Sequence, residues 1–496
     1  MSSNLLNFAL ICLVLSPLSL PYLVSQNSKS TLSFGIYFGP ILALILSIQS
    51  YAINTPLILN SRAVFLPNEN LGFYLDILSG FVLSFVLLIG AVTTKFSFRY
   101  LEIDKNRNLF LKSISYVLFS VTVMLLSDNF IQFFVFWVLT SYFLHKLLTH
   151  VKNDSEAESA ARQKFWTSRL GDLFLLISIS CFYVIFRSFN FSELVRTDLI
   201  HNWNNKWLLD VGCIFLVLGS ITKSAQWPFQ SWLPLTMNTP TPVSAIMHAG
   251  VINSGGYLLI RLSPLMNQSH LSLVFLTLIG ALTAIIGVMV MWTQTDVKKS
   301  LAYSTISQMG FMMLQIGVGA YSLALIHMMG HAFYKAYSFL TIGQVVDYGR
   351  LNRIFASEKL KYNFNFAFSI LFAILMTGVL YLIIDPNFSN KNQGLVLLGI
   401  LSLSLSQVLQ NSKNILTGLI TCAAICVLYG LIYKISIFTF LDVLNLPKGM
   451  DSSMSLLIDF VLIFAFLTLL LMQSHFVYLN QHRFFRKIYV KLLNGF

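Results

Sequence analysis

The chain is poor in charge. Asp, Glu, Lys and Arg make up only 10% of its 496 residues, whereas 56% are hydrophobic. No glutamate falls in an apolar run: Glu69, Glu102, Glu156, Glu158, Glu193 and Glu358 all lie between runs. A composition this apolar excludes a soluble domain. Apolar stretches of about 18 or more residues recur along the whole length, which requires a polytopic helical membrane protein. Cysteine is also scarce. The five cysteines, Cys12, Cys181, Cys213, Cys422 and Cys426, lie in or beside apolar runs, so no disulfide framework is expected. Cys422 and Cys426 are one helical turn apart, but no histidine or acid is near them in sequence. They read as small core residues rather than a metal pair. The first apolar segment, Asn4–Val24, lacks a basic leading region and a small-residue cleavage site, and is expected to be a retained helix rather than a signal peptide.

The net charge of +13 suits nucleic acid by sign, but its arrangement suits a membrane. The expected fold is an all-α polytopic membrane protein with about 14–15 transmembrane helices. Of the 32 basic residues, 22 fall in alternate loops on one side and seven on the other. That asymmetry predicts an outer N-terminus and a cytoplasmic C-terminus ending in the basic tail HRFFRKIYVK. The excess charge then orients the protein.

Three lysines remain within apolar spans: Lys223, Lys335 and Lys434. With His248, His327 and His331 they dominate the intramembrane polar set, and Asp172 is the one acid placed clearly in a span. Such residues cost several kcal/mol to bury unless paired or hydrated, so they mark function by default. Lys434 lies at a span end, where snorkelling explains it. The stretch TKSAQWPFQSWLP, Thr222–Pro234, is different. Pro228 lacks an N–H and clashes with the Ser224 carbonyl, which predicts a helix broken between Lys223 and Pro228. Irregular backbone at membrane depth is tolerated only in protein or beside a cavity, and transporters place broken helices at ion sites. TPTP, Thr239–Pro242, starts the next helix, with His248 inside it. In ALIHMMGHAFYKAYSFL, the i, i+4, i+8 spacing puts His327, His331 and Lys335 on one helix face. No acid or cysteine completes a zinc set there, so a hydrated proton or cation path is the better reading.

TKSAQWPFQSWLP followed by TPTPVSAIMHAG resembles the signature of the proton-conducting, NuoL-like antiporter subunits of respiratory complex I and of Mrp-type cation/proton antiporters. The resemblance extends through KFWTSRLGDLFLL, TDVKKSLAYSTISQMGFM and HMMGHAFYKAYSFL, from about Asp76 to Asp347. It implies two inverted five-helix repeats, each with a broken helix. It divides the chain into N-terminal helices 1–108, a first repeat 109–264, a divergent second repeat 271–410 and C-terminal helices 411–496. It also implies an ion relay of Lys223, His248, His327, His331 and Lys335, with Arg169 and Asp172 matching an R-x-x-D pair. Within the family, HAGVINSGGYLLIRL is most similar to the membrane subunit of two-component inorganic-carbon uptake systems, the DabB (MpsA) type. That implies an H+- or Na+-coupling subunit of a bacterial CO2/bicarbonate transporter. It would hold no metal and do no chemistry itself. Its partner would be a cytoplasmic zinc subunit of the DabA (MpsB) type, similar to a carbonic anhydrase. The alternative is a proton-pumping subunit of a complex I-like or Mrp-type assembly. Three departures favour the carbon-uptake reading: Val138 stands where the family has glutamate after Trp137, FNFAFSILFAILMTGVLYLIID has no break or base, and there is no room for a long lateral helix.

Overall fold

In the computed structural model, residues 3–25, 35–53, 55–62, 70–151, 154–194, 206–343, 366–384, 391–410, 414–436 and 461–468 are described, with positions 412 and 471. The basic C-terminal tail and much of the last expected span, 454–478, lie outside them. Helices dominate: α1 (Ser3–Ser25), α2 (Phe38–Ile53), α3 (Ile77–Tyr100), α4 (Arg107–Leu125), α5 (Phe130–Leu148), α6 (Ser155–Phe186) and α7 (Lys206–Lys223). They continue with α8 (Thr241–Ala249), α9 (Ser254–Arg261), α10 (His270–Thr293), α11 (Val297–Gly317), α12 (Tyr321–Leu340), α13 (Phe366–Ile384), α14 (Lys391–Gln410) and α15 (Ile415–Ser436). A hairpin interrupts the helical order. Strand β1 (Leu57–Arg62) pairs antiparallel with β2 (Asn70–Leu75), Leu57 opposite Leu75.

Among the described residues, eight helices are long and apolar enough to cross a membrane, counting Thr241–Arg261 as one. The fold is therefore an all-helical, multi-spanning membrane fold carrying one small hairpin. Segment α7 falls outside the eight although it is buried along one face, because it carries Lys206, Asp210 and Lys223. Two compact units make up the chain. Met1–Ile316 with Leu325–Ile342 form the first, and Gly317–Ala324 with Gly343–Phe496 the second. In the second unit, Ala373, Leu380, Leu405, Leu409, Cys422 and Cys426 form one apolar core. The two cysteines are thus packing residues, and the Cys422 thiol points at the Leu405 carbonyl, 3.6 Å away. Helix α13 runs unbroken from Phe366 to Ile384.

The first unit positions the polar residues. Helix α3 starts at Asp76, whose carboxylate accepts from the Ser79 backbone N–H (2.8 Å) while the Ser79 hydroxyl accepts from the Asp76 N–H (3.0 Å). The same carboxylate pairs with Arg261 at the end of α9, and the Arg261 guanidinium lies over the Tyr74 ring at 4.8 Å. Burial pushes the nearby Asp128 carboxyl up, and the Arg261 charge opposes that. Helices α6 and α7 approach closely at Gly171: a Cβ there would overlap the Thr222 hydroxyl. Gly255 plays the same part for α9 against α7, since a Cβ would come within 2.5 Å of the Ser220 carbonyl oxygen. Small residues at such crossings let backbones approach. Because the obstacle at Gly255 is main chain, it cannot give way cheaply. Gly255→Val should destabilise the protein by about 1–3 kcal/mol or more, read as a lower Tm of the detergent-purified protein. An unchanged Tm would show that the contact is looser than described.

Candidate functional site

Helix α7 ends at Lys223, as the proline spacing predicts. Ala225 follows at φ 50° and the Trp227–Pro228 peptide is cis. The break leaves backbone groups without helical partners, and side chains take them up. The Gln226 carboxamide donates to the Ser224 carbonyl (2.8 Å), the Trp227 N–H donates to Thr283 Oγ1 (3.0 Å), and the Trp232 indole donates to the Thr222 carbonyl (3.3 Å). A second interruption was not foreseen. Between α8 and α9, Val251–Asn253 form a 3-10 turn. There the Ser224 hydroxyl donates to the Ile252 carbonyl at 2.8 Å, tying the two breaks together. A small, partly open apolar pocket of about 20 Å³ lies against this turn, lined by Phe85, Ile89, Asn253, Tyr257 and Met328 among others. The irregular backbone of this turn is buried in protein, Val251, Ile252 and Asn253 all being buried, which is one of the two settings a bilayer tolerates.

Lys223 is 7% exposed. Its ammonium donates to the Trp137 carbonyl (3.0 Å) and to Ser141 Oγ (2.9 Å), and sits 4.4 Å from the centre of the Trp137 ring. All three contacts come from one turn of α5. Asp172 forms its ion pair with Arg169 at 2.7 Å rather than with Lys223. The Lys223 charge still bears on Asp172, together with those of Arg169 and Lys164. Val138 is only partly buried.

Lys335 is fully buried and repeats this arrangement on other helices. It donates to the Leu301 carbonyl (2.9 Å) and Ser304 Oγ (2.9 Å) of α11. His248 belongs with Lys335 rather than with Lys223. Its Nδ1 is 3.0 Å from Thr305 Oγ1, its ring stacks on Phe339 at 4.5 Å, and the Lys335 charge acts on it. His331 lies in the same field, its ring 6.4 Å from that of His327. His327 sits between two glutamines, Nδ1 2.8 Å from Gln315 Oε1 and Nε2 2.9 Å from Gln308 Oε1. The seven expected residues therefore form two clusters, Lys223–Asp172–Arg169 and His248–His331–Lys335–His327. Several buried polar atoms have no protein partner among the described residues: Ser220 Oγ, Ser244 Oγ, His248 Nε2, Asn253 Oδ1 and both nitrogens of His331. Atoms of this kind are ordinarily satisfied by water.

Lys164 is one of the 22 basic residues that the charge count assigns to the loops of the basic side, but the structure places it elsewhere. It is 3% exposed inside α6, and its ammonium donates to the Ser141 carbonyl at 2.8 Å. The signal for it was its place at the tenth residue of the helix Ser155–Phe186, where the sequence turns from charged to apolar. Lys434, by contrast, is exposed in the last turn of α15. Among the described residues, no three His, Cys, Asp or Glu side chains converge as metal ligands.

The NADH:quinone oxidoreductase/Mrp antiporter transmembrane family matches residues 127–412, more than half the chain. The chain belongs to this family. A chloroplastic NAD(P)H-quinone oxidoreductase subunit 5 from Chara vulgaris is 34% identical over 352 residues, covering 70% of this chain and 52% of the relative. The Oryza sativa subunit 5 is 38% identical over 281 residues, covering 55% and 38%. The chain thus spans about half the length of the curated relatives it matches. Among solved structures, a chain of the Mrp complex from Dietzia sp. superposes with TM-score 0.60 at 25% identity, covering 95% of this chain and 50% of that one. A chain of an archaeal membrane-bound sulfane sulfur reductase shares the fold, with TM-score 0.59 and 18% identity.

These likenesses correct the sequence reading. The expected CO2/bicarbonate transport and the DabA (MpsB)-type zinc partner are overturned, because the relatives belong to quinone oxidoreductase and Mrp assemblies. The physical reason is plain. The motifs that carried the resemblance build the break and hold the buried bases, which belong to the shared architecture rather than to one assembly, and HAGVINSGGYLLIRL alone was too short to discriminate. Nor do the three departures remove the chain from the family, since Lys223 takes its ligands from Trp137 and Ser141.

Arg169 is the partner that balances a nearly buried carboxylate. Arg169→Gln should lower stability by about 1–3 kcal/mol, discounted because Arg169 is one-third exposed (34%). Adding Asp172→Asn should recover much of the loss, measured as Tm in detergent. Equal Tm for the single and double variants would deny the pairing. Purified chain should also hold well below about one zinc per molecule by elemental analysis.

Proposed function

We propose that this chain is the ion-coupling membrane subunit, for H+ or Na+, of a multi-subunit respiratory or cation/proton antiporter assembly. The observation that carries the reading is the duplicated lysine site. Lys223 and Lys335 are each buried, and each is held by a main-chain carbonyl and a serine hydroxyl of a neighbouring helix. A buried ammonium without a hydrogen-bonded counter-ion changes protonation readily when nearby charge changes. Asp172 and Arg169 beside Lys223, and His248 and His331 beside Lys335 with His327 next to them, are read as the groups that exchange charge or protons with the lysines. Family membership and the fold shared with an Mrp complex chain support this reading.

The two lysine sites are read as the centres of two inverted repeats, 109–264 and 271–410. The basic loops are read as facing the cytoplasm, or its equivalent compartment, with the N-terminus on the other side. The bilayer is read as that of a bacterial cell.

Reconstitution of the assembled complex in proteoliposomes tests the function. With pH-sensitive and Na+-sensitive dyes inside, Lys223→Met and Lys335→Met should each reduce coupled cation movement by about tenfold or more while the complex still assembles. Wild-type rates in both variants would remove the lysines from the ion path. Subunits that co-purify with the chain decide between a quinone-linked and a purely antiporting assembly.

A further inference from the structure

We propose that Lys164 loads Lys223 with its proton from the side of the membrane where α5 ends and α6 begins, through Ser141, which holds both amines. The inference rests on the ion-coupling reading and deepens it. Lys164 and Lys223 come from different helices, α6 and α7, yet both end on one residue of α5. Lys164 donates to the Ser141 main-chain oxygen at 2.8 Å, and Lys223 donates to the Ser141 hydroxyl at 2.9 Å. A main-chain carbonyl only accepts, whereas a hydroxyl accepts and donates. The two oxygens belong to one serine, and the step requires rotation within the flexible Lys164 stem to carry its ammonium from the carbonyl to the hydroxyl.

The transfer balances. The Lys164 ammonium gives a proton to Ser141 Oγ, and the hydrogen already on Oγ passes to the neutral Lys223 amine. Lys164 ends as an amine, Lys223 as an ammonium, and Ser141 is unchanged. The surrounding charges favour a single proton shared by the two lysines. Groups acting on Lys164 are Lys223 of α7 and Arg169 and Asp172 of its own helix. On α5 its charge acts on His145. Among the described residues Asp172, paired with Arg169 at 2.7 Å, is the one acid whose charge acts on either lysine, so a single carboxylate already held by Arg169 faces two ammonium groups, which repel across Ser141. His145 lies in the last turn of α5, partly exposed and 6.0 Å from the Phe165 ring that follows Lys164. It marks the aqueous end from which Lys164 is reloaded.

The test is the pH dependence of cation transport by the full complex in proteoliposomes, for wild type, Lys164→Met, Lys164→Arg, Ser141→Ala and Lys223→Met. Lys164→Met should slow transport by about tenfold. It should leave the midpoint of the pH profile near its wild-type place, because with one proton between the two lysines Lys164 is already neutral when Lys223 carries it. Lys164→Arg holds a permanent positive charge beside Lys223 and cannot release a proton, so it should slow transport and move the midpoint acid. Ser141→Ala should slow transport as well. Lys164→Gln, which can still donate to the Ser141 carbonyl, replaces Lys164→Met if that variant does not assemble, with the same outcome expected. If the Lys164 variants superimpose on wild type while Lys223→Met is inactive, Lys164 is structural and the proposal fails. If Lys223→Met itself transports normally, the ion-coupling reading fails instead.

Discussion

The structure depends on keeping ammonium groups inside a helical bundle. An ammonium has three donors and no acceptor, so each hydrogen must find an oxygen once water is gone. Helical carbonyls supply some of them, because a carbonyl already bonded within its helix keeps a second lone pair. Lys223 uses the carbonyl of Trp137 and Lys335 that of Leu301, each joined by a serine hydroxyl within a turn. The Trp137 ring face adds electrostatic attraction without bringing a negative charge. A site built this way tolerates the loss or gain of the proton, since no carboxylate is left unpaired when the lysine is neutral.

Close helix packing follows from that requirement. The lysine stems reach their carbonyls only if α5, α6 and α7 lie near one another, which Gly171 permits. The break after Lys223 and the 3-10 turn before Ser254 then have to be satisfied locally. Gln226, Thr283 and Ser224 do so with side-chain hydrogen bonds to the exposed backbone. Where the irregular segments leave buried polar atoms without partners among the described residues, they are the carboxamide oxygens of Gln226, Gln230 and Asn253, all neutral. These are groups that a water molecule can serve at little cost.

The family likeness and the finer assignment separate for a physical reason. Residues that end a helix in the membrane, cap its carbonyls and seat a lysine are demanded by the shared architecture. They identify the family and say little about which assembly a member joins. That information lies in surfaces that meet other subunits, where no local spacing rule operates. The valine at position 138 illustrates the limit. It removes an expected carboxylate, yet the lysine is seated by its neighbours one residue before and three residues after.

By itself the sequence determined that the chain is helical and membrane-embedded, that a helix ends at Lys223, and that His327, His331 and Lys335 share a helix face. Each follows from short-range chemistry: hydropathy over a bilayer thickness, the missing N–H of Pro228, and the 3.6-residue period. Only the tertiary structure decided that Lys164 is a core residue beside Lys223, that His248 keeps company with Lys335, and that Asp172 is held by Arg169. It also added the β1–β2 hairpin and the turn at Val251–Asn253. These depend on how each helix is rotated and which neighbour it meets. That is set by packing among residues distant in the chain, about which the spacing of residues along one helix carries no information.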